Sequence, residues 1–346
     1  MLRFSSVFQR AAFLKPKHLL TLCLLGMAAL AWSQTPSYQY SRTGNPRDVT
    51  TKPLAGYALM GGGTDLDEAF RFLCDKGAGG DFLILRAAGD DEYNPYVKGL
   101  CKTNSVATLI IPSREAANDP KVANLIRQAE SLFIAGGDQA RYINWWQHSP
   151  VADALNEHIA AGKPIGGTSA GLAVLGEYIY SAQGDAPDDP DLTSKQALAN
   201  PYFSRVTVRR DFLHIDLLRN TLTDSHFAKR DRMGRSLVFL ARIVQDGWSL
   251  SPREIAVDEK SAVLIEANGE ARVIGSGRGA YFLQVRQKPE DCRADIALTF
   301  HDIGVYHAPK GSQFNFKTWS GSGGKFYSLS VDKGSVTSTQ SPSSIY

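Results

Sequence analysis

The sequence is poor in the features that most quickly mark a specialised chain. Its 346 residues hold 4 cysteines and 7 histidines. Their spacings do not combine into a zinc site, so no metal is expected. Lys and Arg total 38 against 35 Asp and Glu, a formal net charge of +3. That is too little for bulk electrostatics to favour nucleic acid or an anionic membrane. The longest apolar run, residues 19–32, falls short of the ~20 residues a helix needs to cross a bilayer. The glycines at 61–63 do not follow G-x-G-x-x-G, which argues against a nucleotide-binding role for that stretch.

What is present begins with residues 1–33. Arg3, Arg10, Lys15 and Lys17 stand there without an acid, ahead of the apolar run and the small residues Ala31 and Ser33. This is the layout of a secretory signal peptide with cleavage near Ser33, and it implies a secreted or periplasmic protein. Loss of those four cations takes the net charge from +3 to −1. Neither nucleic acid nor, after cleavage, a membrane is then an expected partner. Cys74, Cys101 and Cys292 remain, and an oxidising compartment lets two of them pair. Cys74–Cys101 is the preferred pair, on nearness in sequence alone.

Residues 34–54 are polar and contain proline, which suggests a flexible lead-in. From 55 onward short apolar runs alternate with helical patterns. "GYALMGGG", "DFLILRAAG", "VATLIIP", "SLFIAGGDQ" and "KPIGG" are the strands; residues 65–77 and 119–129 are helices, and 140–162 is helical in pieces around Pro150. Strands apolar throughout, separated by helices, predict an α/β fold with a doubly wound, mostly parallel sheet covered on both faces. The α/β domain is placed at 55–295. Short strands recur from about 255, and 296–346 is assigned to a β-rich C-terminal extension and tail. The acid-bearing segment 184–205, with Asp185, Asp188, Asp189 and Asp191, is a solvated loop on this reading.

Three of the strands end in glycines, and ligands in such folds sit at the carboxyl ends of the strands. One of these ends, Gly167-Thr168-Ser169-Ala170-Gly171, matches G-x-S-x-G. Such a strand-to-helix turn forces its serine into a strained conformation with the hydroxyl exposed, and the crowding demands small neighbours. A helix is expected from Ala170 through Ile179. The Ala170 N–H would then help hold an oxyanion, with Gly137 the second donor. A serine hydroxyl needs a base. His226 stands out through its surroundings, Asp224 before it and Arg230, Arg232 and Arg235 after it. Arg232 and Arg235 share a helical face, and guanidinium groups beside a base suit a substrate bearing carboxylates. Asp258 or Glu259 would orient the imidazole.

"FIAGGDQ", "GGTSAG", "DSHFAKRDRMGR" and "AVDEKSAV" stand in the order and spacing of the cyanophycinases and the aspartyl dipeptidases (peptidase E), which residues 55–285 resemble. The resemblance implies a class I glutamine-amidotransferase-like, flavodoxin-like fold and a Ser-His-Glu serine peptidase. Carried over by motif, Ser169 is the nucleophile, His226 the base and Glu259 the acid, with Asp258 as the alternative. Gly137 and Ala170 are the oxyanion donors. Gln139, Asp224, Ser225, Arg230, Arg232 and Arg235 are the substrate-binding set. The expected substrate is an aspartyl peptide, β-Asp-Arg as in cyanophycin, cleaved without a cofactor. A homodimer is an open alternative for the assembly. One departure is Ser225, where cyanophycinases carry glutamine; the shorter side chain cannot make the same amide contacts. The competing readings are an α/β-hydrolase esterase and a catalytically silent binding protein.

Overall fold

The computed structural model describes residues 37–184 and 191–346. The signal-peptide assignment and Asp185, Asp188 and Asp189 lie outside the described residues. Six strands open the fold: β1 (Gln39–Gly44), β2 (Gly56–Met60), β3 (Asp81–Arg86), β4 (Ser105–Ile110), β5 (Ser131–Ile134) and β6 (Ile165–Thr168). They lie in the order β1-β4-β3-β5-β6-β2. From β4 to β2 every pairing is parallel. These parallel strands are buried along almost their whole length, as strands covered on both faces must be. One apolar layer, with Phe70, Phe82, Phe133 and Leu73, lies on one side of the sheet, and a larger one around Leu85, Trp146 and Leu172 lies on the other.

Beyond β2 the same sheet continues antiparallel through Ser261–Glu266, Glu270–Gly275, Gln313–Asn315 and Ser320–Ser322. A second sheet of eight strands runs from Ser335–Ser338 through Lys325–Asp332, Phe300–Ala308, Ala280–Val285, Arg253–Val257, Thr221–Asp224 and Tyr178–Tyr180 to Val208–Arg210. Only the Arg253–Val257, Thr221–Asp224 and Tyr178–Tyr180 pairings are parallel there. The helix Met233–Gln245 is apolar on most of its surface and packs against this sheet.

The molecule is therefore mixed α/β, and the expected mostly parallel single sheet describes only its β4-to-β2 centre. Three further expectations change. Within the lead-in 34–54, residues Gln39–Gly44 pair antiparallel with β4; backbone pairing outweighs a polar sequence at a sheet edge. The helix after Ser169 spans only Ala170–Ala173, and the chain turns into the strand Tyr178–Tyr180. Gly176 marks that turn, where a Cβ would lie 2.7 Å from the Thr221 carbonyl oxygen. Finally, strands between 300 and 338 belong to both sheets and are not appended to a finished domain. The segment after Asp191 also holds a short helix, Ser194–Ala199, opened by a reciprocal Thr193–Gln196 capping box.

Cys74 and Cys101 are bonded, joining the helix Asp67–Lys76 to the end of the helix Tyr93–Leu100, and Cys292 is a buried free thiol. Burial pushes that thiol up to about 12, so it stays protonated and unreactive.

Candidate active site

Because the central strands are parallel, their carboxyl ends gather at one edge. Gly62 and Gly63 follow β2, Arg86 ends β3, Ala135 and Gly136 follow β5, and Ser169 follows β6. All of them line one cavity of about 400 Å³, together with Asp65, Tyr93, Thr168, His226, Arg230 and Glu259. Ser169 sits at the turn with φ 53° and ψ −118°, a conformation costly for a residue with a Cβ. Its neighbours leave no alternative. A Cβ on Gly171 would lie 1.9 Å from the Ile134 carbonyl oxygen, and one on Gly167 would lie 2.5 Å from Gly171. The turn is pinned on either side, Ser169 N donating to Met60 O at 3.1 Å and Ala173 N to Ser169 O at 3.0 Å.

The second sheet delivers the partners. Thr221–Asp224 ends just before His226, and Arg253–Val257 just before Asp258 and Glu259. The Gly61–Gly62 backbone ties both ends to the first sheet: His226 N donates to Gly61 O at 2.8 Å and Lys260 N to Gly62 O at 3.0 Å. The result is a continuous chain of contacts. Ser169 Oγ lies 2.7 Å from His226 Nε2, and His226 Nδ1 lies 2.7 Å from Glu259 Oε1. Burial holds the imidazole below its ordinary value; the Glu259 hydrogen bond opposes this, while Arg230 and Arg232 add to it. His226 is thus a neutral acceptor near neutral pH. The hydrogen bond to His226 holds the Glu259 carboxyl low and ionised.

Sequence alone left Asp258 and Glu259 open, and the backbone separates them. Asp258 turns away from the imidazole and accepts the Lys229 N–H at 2.8 Å. It caps the loop after His226 and does not orient the ring. Among the expected oxyanion donors, Ala170 opens the short helix next to Ser169. Gly137 follows Gly136, whose Cα approaches Ser169 closely enough that a Cβ would lie 3.4 Å from the serine Cβ. Gly137 and Gln139, the first residue of the helix Gln139–Trp146, stand outside the residues that line the cavity.

The arginine-rich set divides. Only Arg230 reaches the cavity. Asp224, Ser225, Arg232 and Arg235 are buried and line none of it. Arg235 is bidentate to Asp224, at 2.7 and 3.0 Å, and lies over the Tyr180 ring. Arg232 donates to the Ser225 carbonyl at 2.9 Å and to Asp224 at 3.2 Å, and both arginines reach Asp191. The placement of these four in a substrate pocket is corrected accordingly. They form an internal ion cluster that fixes the strand end from which His226 projects. The reason is geometric: Asp224 is the last strand residue and points into the second core, so its arginine partners must follow it inward.

Several pocket residues were not singled out from sequence. Asp65 accepts Thr168 Oγ1 at 2.7 Å and Tyr93 OH at 2.5 Å. Arg86, with a side chain 13% exposed, is held by the carbonyls of Ala88 and Asp90 at 2.8 Å each. The position of Asp65 just past the first glycine run was the one local hint. Nothing local marked Arg86 or Tyr93.

A parallel α/β core with a serine turn, an imidazole and a carboxylate in one relay is the arrangement of a serine hydrolase centre. Residues 86–204 match the model of Peptidase family S51. The chain is also similar to cyanophycinases and to a peptidase E, the likeness its motifs led us to expect. A cyanophycinase of Synechococcus elongatus is 30% identical over 175 residues, covering 50% of this chain and 47% of that one. A peptidase E of Shewanella denitrificans is 32% identical over 102 residues, covering 28% and 42% respectively. The crystal structure of a peptidase from an acI-B1 actinobacterium superposes with a TM-score of 0.46 at 17% identity, covering 68% of this chain and 92% of that one. The chain spans about half the length of the cyanophycinase it matches.

Proposed function

We propose that this chain is a secreted or periplasmic serine peptidase on a class I glutamine-amidotransferase-like fold, hydrolysing bonds beside aspartyl residues. The observation that carries the reading is the Ser169–His226–Glu259 relay, with both contacts at 2.7 Å. Ser169 Oγ attacks the aspartyl carbonyl carbon while its proton passes to His226 Nε2. Glu259 holds Nδ1–H and stabilises the imidazolium. The Ala170 and Gly137 N–H groups are the proposed donors to the tetrahedral oxyanion. Collapse breaks the C–N bond, and the leaving nitrogen takes the proton from Nε2. Water then gives a proton to His226 and attacks the acyl-enzyme, and the returning proton frees Ser169 as the carboxylate departs.

The chain order serine, histidine, acid supports this reading over an α/β-hydrolase esterase, in which the acid precedes the histidine. The substrate reading, β-Asp-Arg of the cyanophycin type, rests on the relatives' names and on the basic group Arg230 in the cavity. Purified protein incubated with cyanophycin, isoaspartyl dipeptides and α-aspartyl dipeptides, with products read by mass spectrometry, tests it. Aspartyl products are expected, and their rate should fall by about 10⁴-fold or more in Ser169→Ala. Ser169→Ala at full activity would refute the assignment.

A further inference from the structure

The glycine run at 61–63 ends two residues before Asp65, and the relay leaves that carboxylate unused. Among the described residues, two acids and two guanidinium groups line the cavity. Glu259 is committed to His226. Arg86 is committed to two backbone carbonyls, with Asp90 and Glu92 at 3.5 and 3.9 Å. Arg230 lies 3.4 Å from Asp191. Asp65 differs from all of these. Its two oxygens accept one hydroxyl each, from Thr168 and Tyr93, and among the described residues no cation pairs with it. Burial and the adjoining Asp65 charge push the Tyr93 phenol upward, so it remains a donor. A carboxylate offers about four acceptor positions. Two neutral donors leave acceptor positions and a full negative charge facing the cavity, and Thr168 places that charge one residue from Ser169.

We propose that Asp65 is a specificity-determining residue that receives a cationic group of the substrate, a guanidinium or an ammonium, beside the scissile bond. The inference rests on the reading of this cavity as the peptidase site. It adds a charge requirement on the substrate and names the residue that imposes it. The bland alternative is a clip in which Asp65 only orients Thr168, and the two make different demands on charge. Asp65→Asn keeps an acceptor and a donor for the two hydroxyls and removes the charge.

The test is a calorimetric titration of Ser169→Ala with β-Asp-Arg and β-Asp-Leu, repeated in Ser169→Ala/Asp65→Asn. With Asp65 in place, the arginyl peptide should bind about 10- to 100-fold tighter, the range of a charged hydrogen bond. Without the charge the preference should shrink to about two-fold or less. Equal binding of the two peptides with Asp65 present, or a preference that survives Asp65→Asn, overturns the inference. Tyr93→Phe and Thr168→Val in the Ser169→Ala background remove the hydroxyls and keep the charge, so the preference should survive. If they abolish it as Asp65→Asn does, Asp65 acts only by positioning and the inference falls. Turnover by the unaltered chain is read separately. Hydrolysis of neither peptide would remove the peptidase reading and leave the binding comparison standing.

Discussion

Gly62 lies directly against the imidazole of His226. A Cβ at position 62 would sit 2.5 Å from both Cε1 and Nε2. The atom that accepts the serine proton in the proposed mechanism is therefore held by the absence of a side chain. Gly62→Ala should displace the ring and lower kcat by about 100-fold or more. Its positive φ of 89° adds backbone strain of about 1 kcal/mol. Steady-state kinetics alongside a thermal melt check it: the loss in kcat should far exceed what the small shift in Tm explains. An unchanged kcat would mean that the ring has room to spare.

In the proposed mechanism, proton acceptance by His226 sets the acid limb of the pH profile. Burial lowers the imidazole from 6.5 and Arg230 reinforces that, so kcat/KM should rise to its plateau with a midpoint below 6.5. Two variants should move the limb in opposite directions. Glu259→Gln removes a group that favours the protonated ring, so the midpoint falls and the plateau drops. Arg230→Gln removes a cation that disfavours it, so the midpoint climbs toward 6.5. Profiles of kcat/KM from pH 4 to 9 separate these outcomes; a shift of both variants in the same direction would contradict the assigned causes.

The buried arginines stabilise the fold only while they are paired. Removing Arg235 leaves the buried Asp224 with Arg232 as its remaining guanidinium partner, at 3.2 Å, so Arg235→Met alone should destabilise by about 2–3 kcal/mol through the lost charged hydrogen bonds. Replacing Asp224 and Arg235 together with apolar residues of similar volume should cost less than Arg235→Met alone. Urea unfolding of the two variants tests the order. The same variants should lose turnover through a displaced His226, since Asp224 lies two residues ahead of it.

Cys74 and Cys101 close a loop with a sequence separation of 27. A cross-link of that length restricts the unfolded chain by about 3.5 kcal/mol in the loop-entropy account. Cys101→Ser, or reduction before denaturation, should lower stability by about 2–4 kcal/mol and leave the Ser169–His226 contact intact. Paired urea titrations with and without reductant measure it, and the oxidised and reduced proteins should hydrolyse substrate at equal rates below the transition.

The serine turn was legible because its determinants are local. Gly167, Ala170 and Gly171 crowd a single bend, and the alternating apolar runs before it name a parallel sheet without long-range information. Helix boundaries set by proline were local too: Pro120 and Pro150 each stand in the first turn of their helices. Pairing across the chain was not legible. Edge strand β1 looked like a polar lead-in because its partner β4 lies about sixty residues away and supplies the hydrogen bonds.

By itself, then, the sequence determined where the hydroxyl is exposed, which histidine carries charged company, and that β-strands follow it. The tertiary structure decided which way each charge faces. Glu259 meets the imidazole while its neighbour Asp258 turns to the backbone, because adjacent residues leaving a strand point in different directions. Arg232 and Arg235 became internal and Arg230 stayed at the cavity, because Asp224 and Asp191 compensate the first two inside the protein and burying a guanidinium without such a partner costs too much.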